Sequence, residues 1–182
     1  MNTSAPAAPS DSSWKVYAKA GGIYARSSNA EVGPFGAAAA ATFVGWDIYN
    51  SGNIALNNGS ETSITFNSER LDSDGFHDTG SNTHLVTIPT GKGGKYLVGA
   101  STDTTSSVGA GAYIAIIKNG TSYIATGSIV NVAGYTGGNV TRLISLAQTD
   151  TLQVKVLANA GSKNALAAAD YSPEFWGVKV AD

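Results

Sequence analysis

Apolar and polar residues alternate along Ile64-Thr65-Phe66-Asn67, stop at Asp72-Ser73-Asp74-Gly75, and give way to a β-branched run from Leu85 to Ile88 that Pro89 closes. Successive side chains on a strand point to opposite faces, so period-two alternation bounded by Asp, Gly and Pro predicts a strand, a turn and another strand. The same pattern recurs along the chain. Thr42 to Tyr49, Ile54 to Leu56, Thr62 to Asn67, Tyr96 to Thr102, Ala112 to Lys118, Tyr123 to Val130, Asn139 to Ala147, Leu152 to Leu157 and Glu174 to Val180 all read as strands. Asn50-Ser51-Gly52-Asn53, Asn57-Asn58-Gly59, Asn119-Gly120, Gly137-Gly138 and Gly161 supply the turns between them. Short strands at this spacing predict an all-β fold of about ten antiparallel strands, a sandwich or a jelly roll. Ala37 to Ala41 favour a helix by propensity but are too few to hold one, and they read as a linker.

Upstream of that linker, Trp14 to Gly36 alternates around Gly21-Gly22, with Trp14, Val16 and Ala18 on one face and Lys15, Tyr17 and Lys19 on the other, which predicts a β-hairpin. Asn2 to Ser13 is mostly Ala, Pro and Ser, a composition with too little apolar area to order itself except against a partner. The organisation read from this is an N-terminal arm, 1–36, and a head, 37–182.

Two head segments break the alternation by being apolar on both faces: Tyr113-Ile114-Ala115-Ile116-Ile117 and Phe175-Trp176-Gly177-Val178. An antiparallel strand with one face in water should alternate, so both segments predict a second buried surface. Tyr113, Ile117, Phe175 and Trp176 are accordingly expected at an interface between subunits.

Composition narrows the partners. At 182 residues the chain holds one main domain and a short appendage. Lys plus Arg is 11 and Asp plus Glu is 13, for a net charge of -2, with no basic block, so nucleic acid is not an expected partner. The charged fraction of 13% is about half the ~25% of ordinary domains, which suits a chain that hides surface in an oligomer. There is no cysteine, so core and subunit packing must supply the stability. Met1 to Ser13 lacks the basic start and apolar segment of a signal peptide, and no apolar run approaches the ~20 residues that span a bilayer. Neither membrane insertion nor a signal peptide is expected.

The chemistry-bearing residues form no convincing constellation. Asp72, Asp74 and Asp78 surround one Gly turn and are the candidates for a hard cation such as calcium, but the downstream Glu of an EF-hand loop is missing, and Asp-rich turns are common in sandwiches. Glu61, Glu69, Asp103 and Glu174 are too scattered to pair across a sugar. His77 and His84, set beside Ser81 or Asp78, lack any nucleophile elbow. Gly91-Lys92-Gly93-Gly94-Lys95 fails the spacing of a phosphate loop, and Asn58-Gly59-Ser60 and Asn119-Gly120-Thr121 read as turns rather than glycosylation acceptors. Tyr135 and Tyr171 read as contact residues rather than sugar platforms. No cofactor and no catalytic residue is expected.

A set of motifs in chain order does carry a resemblance. Phe66 to Asp78 (FNSERLDSDGFHD), Thr87-Ile88-Pro89, Gly94-Lys95-Tyr96, Asn119-Gly120-Thr121 and Tyr171 to Phe175 resemble the trimeric jelly roll of complement globular heads and tumour-necrosis-factor-like proteins, most closely the variety in tailed-phage virion proteins. The chain departs from that pattern at Gly91-Lys92-Gly93, which is extra, and at Thr149-Asp150-Thr151-Leu152, which replaces Gly-Asp-Tyr-Val. Tyr17-Ala18-Lys19 to Arg26 is similar to a segment near the start of phage tail and head-appendage proteins. The resemblance implies a non-enzymatic homotrimer on the virion surface, made in the host cytoplasm, as a capsid decoration or head-fibre protein. Trp14, Val16, Tyr17, Ile23, Tyr24 and Arg26 would then dock on the phage major capsid protein or another virion component. The alternative it implies is a receptor-binding protein at a tail or fibre tip, recognising a host surface glycan or protein.

Overall fold

The computed structural model describes residues 15–19, 22–27, 30–35, 43–105, 107–132, 135–161, 163–167 and 172–182, and every regular element among them is a strand. The chain divides into two compact units, Met1–Thr42 and Phe43–Asp182.

In the first unit β1 (Lys15–Lys19), β2 (Gly22–Arg26) and β3 (Glu31–Phe35) form an antiparallel sheet in that order. The hairpin expected around Gly21-Gly22 pairs from Lys15 with Arg26 to Lys19 with Gly22. The third strand was not legible, because Gly33-Pro34 interrupts its alternation. It lies at the sheet edge, where a proline's missing N–H costs no ladder bond.

The second unit contains β4 (Gly45–Tyr49), β5 (Ile54–Leu56), β6 (Glu61–Ser63), β7 (Ser68–Asp72), β8 (Val86–Thr87), β9 (Gly94–Asp103), β10 (Tyr113–Lys118), β11 (Ser122–Ser128), β12 (Val130–Val132), β13 (Tyr135–Leu146), β14 (Thr151–Leu157), β15 (Lys163–Ala165) and β16 (Glu174–Ala181). One sheet runs β12-β13-β9-β16-β4-β7, and the other runs β11-β10-β14-β6 with β8 also paired to β14. β15 and β5 form a small separate pair. All these ladders are antiparallel.

The core lies between the two larger sheets. Trp46 and Ile48 of β4, Tyr96 and Val98 of β9 and Phe175 of β16 meet Ile114 and Ile116 of β10 and Leu152, Val154 and Val156 of β14. Trp46 is its hub, with ring centroids 5.1 Å from Phe76, 5.5 Å from Phe175 and 5.9 Å from Tyr96. An aromatic ring that buries ~150–250 Å² at ~25 cal/mol per Å² contributes roughly 4–6 kcal/mol before its ordering entropy is deducted. The hub fits because of one glycine: a Cβ on Gly177 would lie 2.3 Å from the Trp46 ring.

The segment Ile64 to Asn67 is not the ladder strand that its alternation predicts. Ile64 and Phe66 are buried as expected, yet the backbone is crossing from one sheet to the other. Ile64 N donates to Val154 O, Phe66 N to Thr83 O and Asn67 N to Tyr49 O, three acceptors on three different elements. Beyond the crossing, Ser68–Asp72 pairs with β4 at the edge of the six-stranded sheet. Period-two burial reports which side chains face the core, and it does not report which neighbour takes the amide.

Candidate functional site

The loop between β7 and β8 carries the three candidate metal ligands, and each is committed elsewhere. Asp72 Oδ1 accepts from the backbone N–H of Gly75 and Phe76 at 2.9 Å and more weakly from Asp74 at 3.3 Å, while Oδ2 accepts from His77 N at 2.9 Å. Asp74 pairs with Lys92 at 2.6 Å, and that hydrogen bond, with a second from Ser73, holds its carboxyl below the usual range. Asp78 Oδ1 accepts from Gly80 N and Ser81 N at 2.8 and 3.1 Å. Among the described residues no three acidic or imidazole groups converge as a metal site would require. Asp72 and Asp78 instead satisfy turn amides, and Asp74 takes the Lys92 ammonium and the Ser73 hydroxyl.

His77 is clamped in the same loop, with Nδ1 3.0 Å from Leu85 O and Nε2 3.0 Å from Phe66 O. A neutral imidazole donates to one of these carbonyls and an imidazolium to both. With both nitrogens so engaged, neither serves as a base for Ser81. The loop encloses a cleft of about 180 Å³ lined by Gly75, Phe76, His77, Asp78, Ser81, Asn82, Leu85 and Thr87.

The four residues expected at a subunit interface separate into three environments. Phe175 is 1% exposed and belongs to the core, stacked near Trp46 and Phe66, so it is no surface residue. Ile117 is also 1% exposed, but on the outer side of the five-stranded sheet, where its own chain covers it. The cover is a polar roof. Tyr123 on β11 donates to Glu61 Oε1 on β6, so its ring must lie across β10; Tyr113 donates to the same oxygen at 2.7 Å, and Lys155 Nζ stands 3.2 Å from Oε2. Partial burial works against the Glu61 charge, but the bonds from Tyr123, Tyr113 and Lys155 outweigh it and hold the carboxyl below its usual range. The reciprocal bond pushes the Tyr113 hydroxyl up. The two-sided apolar strand is thus accommodated within one chain.

Trp176 alone of the four sits on the outer face of the six-stranded sheet. It lies over Gly99, where a Cβ would come within 2.3 Å of its ring. Beside it, Leu143, Leu97 and Val178 stand in register across β13, β9 and β16, with Leu143 58% exposed, and Val180, 54% exposed, follows on β16. The far side of this face is an ion network: Arg70 lies 2.6 Å from Asp47 and 3.6 Å from Glu174, with its guanidinium 4.6 Å from the Tyr49 ring centroid. An apolar row with a polar margin is the ordinary make-up of a protein contact surface.

With this geometry, solved structures of known proteins are recognisable relatives in shape. No family model and no curated protein matches the chain. The crystal structure of murine APRIL at pH 8.5 is similar with a TM-score of 0.56 at 13% identity, over 76% of this chain and 100% of that one. Murine APRIL at pH 5.0 gives 0.57 at 14%, over 76% and 100%. Eiger TNF from S. frugiperda gives 0.52 at 14%, over 77% and 94%. The fold is a TNF-like jelly roll. At these identities the likeness is one of fold.

Of the residues expected to dock the arm, Trp14 lies outside the described residues. Val16, Ala25 and Val32 are in register across β1, β2 and β3, with Val16 70% exposed. Ile23 is in β2, and Tyr17 faces Tyr24 across the hairpin with ring centroids 6.0 Å apart. Lys15, Arg26 and Glu31 form the neighbouring row. Sequence reasoning did not single out Leu97 and Leu143, because each stands beside other apolar residues of its strand, Tyr96 and Val98 or Ile144, and the pattern does not say which face is wet.

Proposed function

We propose that this chain is a non-enzymatic structural protein of a tailed-phage virion, a homotrimeric capsid decoration or head-fibre protein docked through residues 1–36 with the jelly roll displayed outward. The observation that carries the assembly is the apolar row of exposed Leu143 and half-buried Leu97 and Val178 beside half-buried Trp176 on a TNF-like head, a band that a second copy of the same chain would cover. The virion assignment is supported by the motifs from Phe66 to Asp78 and Tyr171 to Phe175, and by an N-terminal unit with Val16 and Val32 exposed. Three arms on one trimer bind together, which raises avidity by ~10² or more without a tight single contact. Deleting residues 2–36 is expected to leave a soluble trimeric head that no longer associates with particles. A truncated head that still decorates particles as well as the full chain moves docking onto the jelly roll, and a monomer mass by light scattering at micromolar concentration removes the trimer.

The second reading is a receptor-binding protein at a tail or fibre tip, and the observation that favours it is the polar cleft in the β7–β8 loop.

A further inference from the structure

We infer that the β7–β8 loop is a binding site for a single neutral sugar ring, or a comparable hydroxyl-rich molecule, at the cleft bounded by Asp78, Ser81, Asn82 and Thr87. The inference goes beyond the virion reading and stands or falls without it.

Three observations meet here. The loop is exposed, yet it is tied down more heavily than its neighbours: Asp72 holds four backbone amides, Asp78 holds two, and His77 bridges Leu85 O and Phe66 O. Asn82 sits in the left-handed region with φ 53, a conformation that recurs at ligand clamps. After this bonding, hydrogen-bonding capacity remains at the cleft's rim: Asp78 Oδ2, the Ser81 hydroxyl, the Asn82 side-chain amide and the Thr87 hydroxyl make no hydrogen bond among the described residues. A pre-formed loop whose cleft is lined by residues with unused acceptors and donors loses little entropy on binding.

The ligand class follows from those groups. The one carboxylate disfavours anions, and with no second carboxylate beside it the site offers a hard cation little charge. The four groups match a ring bearing adjacent hydroxyls, each both donor and acceptor. A volume of about 180 Å³ is below the roughly 300 Å³ of drug-sized pockets and admits one ring rather than a chain.

The test is an amide chemical-shift titration of the full-length protein with D-glucose, D-galactose, D-mannose and N-acetyl-D-glucosamine as separate probes. The expected result is saturable shifts at Gly80, Ser81, Asn82 and Thr87 with at least one probe, at a dissociation constant on the order of 1 mM. The double variant Ser81→Ala, Asn82→Gly keeps the left-handed backbone and should keep its melting temperature while losing about tenfold in affinity. No shift at these amides with any probe, shifts centred elsewhere, or unchanged affinity in the folded double variant overturns the inference.

Discussion

Phe175 and Trp176 are neighbours in sequence and point to opposite faces of one sheet, so replacing each by alanine separates folding from assembly. Phe175 is 1% exposed and packs against Trp46 at 5.5 Å and Phe66 at 6.0 Å. Truncating a buried phenylalanine costs about 3–5 kcal/mol, because the cavity adds to the lost transfer energy. In a domain of this size about 1 kcal/mol moves the melting temperature by roughly 2–4 °C, so Phe175→Ala should lower it by about 10 °C. Trp176 is half-buried over Gly99 and loses less within the chain, about 1–2 kcal/mol, while removing the largest side chain on the outer face. The assay is urea unfolding at two protein concentrations together with mass by light scattering. Phe175→Ala should shift the midpoint equally at both concentrations and keep the mass of the unmodified protein whenever folded. Trp176→Ala should lower the mass and remove the dependence of the midpoint on protein concentration that an assembled chain shows, since assembly is linked to folding. The reasoning fails if Phe175→Ala leaves the midpoint in place, or if Trp176→Ala costs as much as Phe175→Ala at every concentration with the mass unchanged.

Three further outcomes are expected. Glu61→Gln removes charge-assisted bonds from Tyr113, Tyr123 and Lys155 and should cost about 2 kcal/mol at pH 7; because the folded carboxyl lies below its unfolded value near ~4.3, that contribution is present above this value and disappears as pH falls through the folded one, so urea midpoints of the two proteins should converge toward pH 3. Gly177→Ala places a Cβ 2.3 Å from Trp46 and should cost several times more than Gly59→Ala, where φ is +71 but no atom lies within 4 Å and the cost is about 1 kcal/mol by thermal melting. Asp72→Ala strips the acceptor from four loop amides and should destabilise by about 2 kcal/mol or more in the same assay, with identical melts in chelator and in calcium for the unmodified protein.

The strands were legible where side-chain alternation and turn residues agree, as along Tyr96 to Thr102 and at Asn119-Gly120 with its φ of 51 at Asn119. Which strands neighbour each other was not, because pairing depends on where the amides point. Ile64 to Asn67 shows the difference, with core-facing burial and no ladder. The β7 edge strand was hidden because Ser68–Asp72 carries mostly polar residues, as an edge in water should. Ile117 misled because an apolar outer face can be covered by a partner subunit or by long amphipathic side chains of the same sheet, and Tyr123, in register with Ile117 and bonded to Glu61, does the latter. Phe175 misled because Trp176 and Val178 make the opposite face of its strand apolar as well, giving a two-sided apolar look, while Phe175 and Gly177 face the core and the glycine is the space taken by Trp46. The Asp72 and His77 arrangement had a sequence signal in the Asp-x-Asp-Gly-x-His spacing, but spacing alone does not tell turn capping from coordination.

The position of β16 sets a timetable for synthesis. It is the last strand of the chain, yet it lies between β4, the first of the head, and β9, bonded to both. While residues 174–181 are still inside the ribosome, β4 and β9 have no strand to join them, and the seats of Trp46 on Gly177 and Trp176 on Gly99 do not exist. The head therefore closes only once residues 174–181 have left the ribosome, with its aromatic core exposed to solvent and chaperones until then. A chain lacking residues 174–181 should leave β4 and β9 unjoined, so the outer face on which Trp176 and Val178 stand is built by the same strand that closes the core.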